Sequence, residues 1–183
     1  MKVFLFNDTR YDYHHGCSMT MQSLFGALES RNIEILGTSP VSYQWKEETT
    51  IIKKIAKSDL VIVNGEGTLH HSRTEAFYLA EVAEYCENLN IDSYLINSVF
   101  SKNNKKLAEK VKKFNSIYVR EGFSQRELKS YGIESKVVPD LIFYDKFVKS
   151  KKGLNKLIVT DAVSDLPLIP DSNKILFERS KDK

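Results

Sequence analysis

The chain has 183 residues, of which 42% are hydrophobic and 28% are charged, a composition typical of one soluble globular domain with at most part of a second. The formal net charge of +3 is too small to indicate a nucleic-acid-binding surface, and two cysteines are too few for a disulfide framework or a zinc ribbon. The first apolar stretch, residues 3–6, is much too short for a signal peptide or a membrane span. We therefore expect a cytoplasmic protein that meets a membrane only peripherally, if at all.

The first part of the chain alternates strand and helix patterns. Runs of β-branched and aromatic residues predict strands over 3–6, 33–36 and 60–63. Apolar residues at helical spacing predict helices over 18–30 and within 40–58.

The alternation continues to about residue 145. It predicts a helix over 74–89, a strand over 94–96, a helix over 102–114, a strand over 117–119, a helix over 124–131 and a short strand over 137–138. Strands that alternate with helices indicate an α/β fold with a Rossmann-like parallel sheet flanked by helices. We assign residues 1–145 to this domain.

The composition changes after residue 145. Residues 146–156 are rich in lysine, as a linker or solvated connection is. The remaining residues offer one apolar strand over 157–160 and a second apolar run over 175–177. We expect residues 146–183 to be a linker and a truncated or rudimentary C-terminal segment, because a full second domain does not fit there.

Most of the predicted strands end in polar residues suited to ligand contact. These residues are Asn7 and Asp8, Asn64 to Glu66, Asn97 and Ser98, Arg120 and Glu121, and Pro139 and Asp140. The carboxyl ends of parallel strands lie along one rim of a sheet, where α/β proteins bind ligands. Singly, such residues also end strands and cap helices. Their repetition at five strand ends favours a ligand-binding rim.

The loop expected after Val63 contains Gly65, Glu66, Gly67 and Thr68. The two glycines would let backbone N–H groups approach a phosphate or a carboxylate. The third glycine of a dinucleotide fingerprint and the lysine of a Walker loop are both missing. Glu66 is a candidate general base, and the alternative is an acidic residue that leads a helix.

The long first loop, residues 7–17, is rich in reactive side chains. His14 or His15 could act as an acid or a base near neutral pH, or could bind an anion together with Arg10. The two adjacent histidine pairs of the chain, at 14–15 and 70–71, lack further ligands at a recognisable metal spacing. We therefore expect no metal site.

Arg120 directly follows a strand, where its planar guanidinium would suit bidentate binding of a carboxylate or phosphate. The alternative is an ion pair with Glu121 or Asp140 that ties adjacent strand ends together. The lysines over 102–113 predict a solvated helix face. No aromatic residues interleave with them, so we expect no nucleic-acid partner.

Three stretches together resemble the polysaccharide pyruvyl transferase family, over roughly residues 1–145. The first is Asn7 followed by Gly16 before the first helix, and the second is the sequence DLVIVNGEGTL at 59–69. The third is the sequence VREGFSQREL at 119–128, together with GI at 132–133 and VPD at 138–140. The most specific part is the spacing of Arg120, Ser124, Leu128, Gly132, Pro139 and Asp140.

The resemblance implies one half of a two-domain enzyme with glycosyltransferase-B-like architecture. Such enzymes transfer a pyruvyl ketal from phosphoenolpyruvate to a pair of sugar hydroxyls in a bacterial surface polysaccharide, so exopolysaccharide or capsule biosynthesis is implied. Arg120 matches the family arginine that is expected to bind the anionic donor. The implied partners are phosphoenolpyruvate and a saccharide acceptor, and no cofactor is implied.

Other hypotheses stay open at this point. The chain could be a glycosyltransferase that uses a nucleotide sugar, a non-catalytic sugar-binding or partner domain that lacks the second half of a site, or a structural domain that forms a homo-oligomer. The candidate catalytic residues are His14, Glu66 and Arg120. The candidate ligand-binding residues are Asn7, Asp8, Arg10, His15, Gly65, Gly67, Thr68, Asn97, Ser98 and Asp140.

Overall fold

A computed structural model describes residues 1–11 and 14–144 of the chain. The chain divides after Phe147, and the described residues all lie in the first unit, Met1–Phe147. The predicted linker over 146–156 and the predicted strands over 157–160 and 175–177 lie outside the described residues.

The sheet has six parallel strands in the spatial order β2-β1-β3-β4-β5-β6. The strands are Lys2–Asp8 (β1), Glu34–Pro40 (β2), Leu60–Glu66 (β3), Asp92–Ser98 (β4), Ser116–Val119 (β5) and Lys136–Val137 (β6). The helices are His15–Glu29 (α1), Thr49–Ile55 (α2), Thr74–Asn88 (α3), Lys105–Val111 (α4) and Gly122–Ser130 (α5), with single 3-10 turns at Trp45–Glu47 and Leu141–Phe143. The predicted Rossmann-like α/β fold is confirmed.

Alternating side chains of the central strands pack into two separate hydrophobic cores, one on each face of the sheet. Phe4 and Val61 point to the face that α2 to α5 cover, where their cluster also takes in Leu79, Leu107 and Leu128. Val3, Leu5 and Ile62 point to the opposite face, where α1 supplies Met21, Leu24 and Leu28. The successive residues face opposite sides because side chains alternate along a strand.

This division of the helices produces a topological switch between β1 and β3. The chain leaves β1 into α1 on one face, whereas it leaves β3 into α3 on the other face. β1 and β3 are hydrogen-bonded neighbours, with Phe6 beside Val63. A crevice opens between two such strands at their carboxyl ends, and open α/β sheets bind ligands there. The fold therefore predicts a ligand site at the residues that follow Phe6 and Val63.

Several element boundaries differ from the predictions. The strand expected to end at Val63 continues to Glu66, because Asn64 and Glu66 stay in register with β4 beside Ile96 and Ser98. The prediction of a loop directly after Val63 is therefore wrong, and Gly65 lies inside a buried strand.

The segment predicted to be helical within 40–58 is divided. Trp45 lies in its own 3-10 turn and is 1% exposed, packed edge-on against Phe6, and its indole N–H donates to Tyr78 O at 2.8 Å. Burying this large ring interrupts the helical path, so that α2 begins only at Thr49. The second cysteine of the chain, Cys86, also belongs to this core, and burial raises the pKa of its thiol to about 12.

None of the helices among the described residues has the length and apolar character needed to cross a membrane.

Candidate functional site

Three neighbouring strands end in residues with an unusual backbone conformation. Asn7 of β1, Glu66 of β3 and Asn97 of β4 have φ values of 63°, 39° and 52°. Side chains other than glycine rarely adopt this left-handed region, and asparagine tolerates it best. Strained backbone of this kind clusters at functional sites, so the carboxyl edge of the central strands is the leading candidate.

Hydrogen bonds join the side chains at these strand ends. Asn64 donates through Nδ2 to Glu66 Oε1 at 3.0 Å and accepts through Oδ1 from Asn97 Nδ2 at 3.2 Å. Asn7 Nδ2 donates to the backbone oxygen of Asn64 at 2.7 Å, and Thr9 Oγ1 donates to Glu66 Oε1 at 2.8 Å. We call these five residues, Asn7, Thr9, Asn64, Glu66 and Asn97, the rim network.

The rim network is almost completely buried. Asn7 is 0% exposed, Asn64 1% and Asn97 5%, and the carboxylate-bearing Glu66 is 8% exposed. Burying polar groups costs free energy unless they are hydrogen-bonded, so each donor and acceptor in the network constrains its neighbours. The result is a constrained cluster at the carboxyl ends of β1, β3 and β4.

Two acceptor atoms of the network are not used internally. Glu66 binds Thr9 and Asn64 through Oε1 alone, and its Oε2 has no hydrogen-bond partner within residues 1–11 and 14–144. Asn7 Oδ1 is buried and also lacks a partner there. A carboxylate held by one oxygen presents the other one in a fixed direction, as a general base or a ligand-binding acceptor requires.

Gly65 has a packing role in this arrangement. A Cβ atom at this position would stand 2.4 Å from Ser98 Oγ and 2.5 Å from Ser98 Cβ, so only glycine fits beside the buried Ser98. Gly67, by contrast, is exposed, and a Cβ atom there would meet nothing within 4 Å. Thr68 follows in a turn closed by its N–H and Gly65 O at 2.9 Å, and its hydroxyl accepts from Asn7 Nδ2 at 3.2 Å.

Arg120 and Asp140 lie at the β5–β6 end of the same edge. The guanidinium donates to Asp140 Oδ2 at 2.7 Å, which is one of the two pairings left open by the sequence. Asp140 also caps the turn at Leu141–Phe143, and the N–H of Leu141 donates to Asn97 Oδ1 at 3.2 Å. Asp140, which holds Arg120, thus lies one peptide bond away from Leu141, which contacts the rim network.

The other pairing open to Arg120 would have used Glu121. That carboxylate instead caps α5 by accepting from the N–H groups of Phe123 and Ser124. Burial raises the pKa of Glu121, but the hydrogen bonds from Ser124 and Phe123 outweigh it, so that the pKa lies below its ordinary value.

Asp8 and Arg10 form a second ion pair at the β2 side of the edge. Arg10 donates to Asp8 through Nε at 2.9 Å and through Nη2 at 2.7 Å, and it stacks 4.0 Å from the centre of the Phe25 ring. Burial raises the pKa of Asp8, but hydrogen bonds from Arg10 and Thr38 outweigh burial, and the net shift of the pKa is downward. Arg10 and Phe25 also line an open pocket of about 420 Å³ beside β2.

His14 and His15 are exposed at the start of α1. His14 is the N-cap of the helix, and its Nδ1 accepts from the N–H of Cys17 at 3.2 Å. In the neutral ring the hydrogen is therefore on Nε2. Within the described residues, no hydrogen bond connects either histidine to the rim network.

The sequence profile of the family described as polysaccharide pyruvyl transferase matches residues 14–183. The chain belongs to the polysaccharide pyruvyl transferase family. No curated protein matches the chain significantly.

Solved structures resemble this family member at low sequence identity. An uncharacterized protein from Klebsiella pneumoniae shares 15% identity over 78% of this chain and 51% of its own, with a TM-score of 0.47. A galactofuranose binding protein shares 13% identity over 70% of this chain and 38% of its own, with a TM-score of 0.41. The pyruvyl transferase family chain thus spans about half the length, or less, of these proteins.

The residues predicted for the family site are only partly brought together. Hydrogen bonds join Asn7 to Thr68 directly and Glu66 to Asn97 through Asn64. Arg120 pairs with Asp140, and Leu141, the next residue along the chain, donates its N–H to Asn97. The structure places Asp8 and Arg10 in a separate pair, and His14 and His15 at a helix start. The sequence places Asn64 among the polar strand ends but not among the candidate ligand-binding residues, and it does not single out Thr9. An asparagine directly after an apolar run was the available signal for Asn64.

Side-chain hydrogen bonds also fix the loops that follow β3 and β4. Glu127 of α5 accepts from the N–H groups of Lys102 and Asn103, each at 2.8 Å. His70 and His71 share a hydrogen bond between their Nδ1 atoms at 2.8 Å, and burial together with Arg73 and His71 lowers the pKa of His70.

In the described part of the chain, no three His, Cys, Asp or Glu side chains come together as a metal site would need.

Proposed function

We propose that this chain takes part in the transfer of a pyruvyl group from phosphoenolpyruvate to a sugar of a bacterial surface polysaccharide. Membership of the polysaccharide pyruvyl transferase family supports this proposal. The observation that supports it at the level of residues is the Oε2 atom of Glu66, which has no partner among the described residues and is held at the carboxyl end of β3 by a buried network. A base in this position fits a reaction in which sugar hydroxyls must lose protons.

The proposed reaction is balanced without a cofactor. The methylene carbon of phosphoenolpyruvate takes up a proton, and the first sugar hydroxyl forms a C–O bond to the neighbouring carbon. The C–O bond to the phosphate breaks, and the second hydroxyl forms the other C–O bond of the ketal. Of the two hydroxyl protons released, one replaces the proton taken up by the methylene carbon and the other leaves with the phosphate.

The proposal gives each candidate residue a limited role. Glu66 Oε2 accepts a hydroxyl proton as the general base. Arg120 uses one N–H on Asp140, so its remaining donors are available for the carboxylate or phosphate of the donor. His14 is the proposed source of the proton for the methylene carbon in its doubly protonated form, in which Nδ1 no longer accepts from the N–H of Cys17. This activity belongs in the cytoplasm, in exopolysaccharide or capsule biosynthesis.

A second candidate function is sugar binding without catalysis, as a partner domain. The observation that favours it is the separation of the proposed groups: His14 has no hydrogen-bonded connection to Glu66 among the described residues, and Arg120 is already paired with Asp140. A protein of this kind would bind saccharides and leave phosphoenolpyruvate unchanged.

The test is an incubation of the full chain with phosphoenolpyruvate and a panel of saccharides. Pyruvyl transfer predicts phosphate release that depends on the saccharide, together with a saccharide product that carries one ketal-linked pyruvyl group by mass spectrometry. Nucleotide sugars in place of phosphoenolpyruvate test glycosyl transfer in the same panel. Saccharide binding with no phosphate release and no product would favour the partner-domain function and contradict pyruvyl transfer.

A further inference from the structure

An open pocket of about 420 Å³ lies beside β2, which is an edge strand of the sheet. Phe25 of α1 gives the pocket one apolar wall, and Ile33 and Ile35 give it another. All three side chains are only partly buried, so apolar surface remains for a ligand to cover. Small-molecule sites are mostly apolar, hold a few polar groups and have volumes of about 300–1,000 Å³. The pocket has these properties, and the proposed reaction does not use it.

A register shift in β2, of the kind a β-bulge produces, shapes the pocket. The pairing with β1 steps from Ile35 to Gly37 while β1 advances by one residue, so Leu36 is an extra residue in the edge strand. Thr38 therefore pairs with Leu5, whose side chain faces α1. Without the extra residue, strict alternation would turn Thr38 to the other face of the sheet. Bulges re-aim side chains in this way and are frequent beside functional sites.

The charges around the pocket leave one carboxylate without a counter-ion. Arg10 donates to Asp8 through Nε at 2.9 Å and through Nη2 at 2.7 Å, so these two charges neutralise each other. Glu29, which is exposed in the last turn of α1, lines the pocket and forms no ion pair with any described residue. The pocket therefore carries a net negative charge, which favours a cation and disfavours an anion.

We propose that this pocket binds a small organic amine. The ammonium group of the amine lies at the Glu29 carboxylate, to which it donates, and the apolar body packs between Phe25 and Ile35. The proposal is independent of pyruvyl transfer, because it uses neither Glu66 nor Arg120.

The experiment is an amide NMR titration of the full chain with three probes that share one apolar body. Phenethylamine carries an ammonium group, phenethyl alcohol carries no charge and phenylpropionate carries a carboxylate. We expect phenethylamine to shift the amides of Phe25, Ile35 and Thr38 in a saturable way. A solvated ion pair contributes up to about 1 kcal/mol, so phenethylamine should bind about fivefold more tightly than phenethyl alcohol. Phenylpropionate should bind most weakly.

The decisive variant is Glu29→Lys. The position is exposed at the carboxyl end of a helix, where lysine is favourable, so the fold should persist. We expect the order of the probes to reverse, with phenylpropionate bound more tightly than phenethylamine. The matched control is Glu34→Lys, because Glu34 is an exposed carboxylate of β2 that does not line the pocket. This control should keep the order of the wild type.

The inference is overturned if phenethylamine shifts none of these three amides, or if its saturable shifts lie at Glu66 instead. It is also overturned if the three probes bind equally, or if Glu29→Lys keeps the order of the wild type while its amide spectrum stays folded. A reversal in Glu34→Lys as large as in Glu29→Lys would indicate a general response to surface charge and would overturn it too.

Discussion

Two polar regions of this molecule differ in almost every physical respect. The rim network is buried, carries one charge and is held by neutral amides. The second region, which we call the charge ladder, joins α3 to the 3-10 turn at Trp45–Glu47 and to the end of α4, through ion pairs of Glu81, Glu84 and Glu87 with Lys46, Lys110 and Lys113. Its side chains are 21–58% exposed, so solvent screens its charges more than it screens the buried Glu66.

The comparison shows why the number of charges is a poor guide to function. In the charge ladder each ion pair is screened by solvent and can be lost at small cost. In the rim network each group is fixed by another one, and Glu66 Oε2 is left without a partner among the described residues. A buried carboxylate held at a strand end is thus more informative about function than a series of surface ion pairs.

Removing the side-chain amide of Asn64, at the centre of the rim network, should lower stability the most. Asn64→Leu takes the donor from Glu66 and the acceptor from Asn97 inside the protein, and each unsatisfied buried group costs about 1–3 kcal/mol. We expect the free energy of unfolding to fall by about 3 kcal/mol or more, measured by urea denaturation. A loss under about 1 kcal/mol would mean that the network is not the constrained cluster described here.

A methyl group at Gly65 should have the next largest effect. Gly65→Ala places Cβ 2.4 Å from Ser98 Oγ, and relieving such a clash in a packed site costs about 1–3 kcal/mol. The matched control is Gly67→Ala, where nothing lies within 4 Å, and its stability should equal or slightly exceed that of the wild type. Adding Ser98→Gly to Gly65→Ala should restore part of the loss. Equal effects at the two glycines would argue against close packing at Gly65.

We expect the loss of the Asp8–Arg10 pair to lower the free energy of unfolding by a smaller amount, which depends on pH. The pKa of Asp8 is lowered in the folded protein, so the pair stabilises the fold above the ordinary pKa of 3.8. This contribution is lost as the pH falls through the lowered folded value. In urea titrations across acid pH, Asp8→Asn should therefore lose most stability near neutrality and match the wild type more closely at the acid end. A difference that is constant across pH would contradict this linkage.

The charge ladder should give the smallest effect. Lys113→Ala removes two solvated ion pairs, with Glu84 and Glu87, and we expect little change in the melting temperature. Any change should shrink further in high salt, because salt screens exposed charges. A loss as large as that of Asn64→Leu would reverse the contrast between the two regions.

The fold and the location of the site followed from local patterns in the sequence. Apolar runs and helical spacing predicted all six strands of the described unit, and polar residues at the strand ends predicted their shared edge. The ends of the elements did not follow from these patterns. β3 continues through Asn64 and Glu66 because β4 pairs with it there, a contact between residues about thirty positions apart.

The hydrogen bonding of the site was less predictable. Asn64 contacts Glu66 and Asn97 where β3 and β4 pair side by side, and that pairing joins residues far apart in the sequence. The choice of Asp140 over Glu121 as the partner of Arg120 likewise depends on the cap that Glu121 provides for α5. Side chains near a strand end can be predicted, whereas their partners depend on tertiary contacts.

The most direct test of the central claim is a crystal structure of the full chain with phosphoenolpyruvate and a methyl glycoside bound. We expect a glycoside hydroxyl within hydrogen-bond distance of Glu66 Oε2, and the phosphoenolpyruvate anion beside Arg120. Ligands bound only at the charge ladder or in the pocket beside Arg10, with the rim network untouched, would contradict the claim.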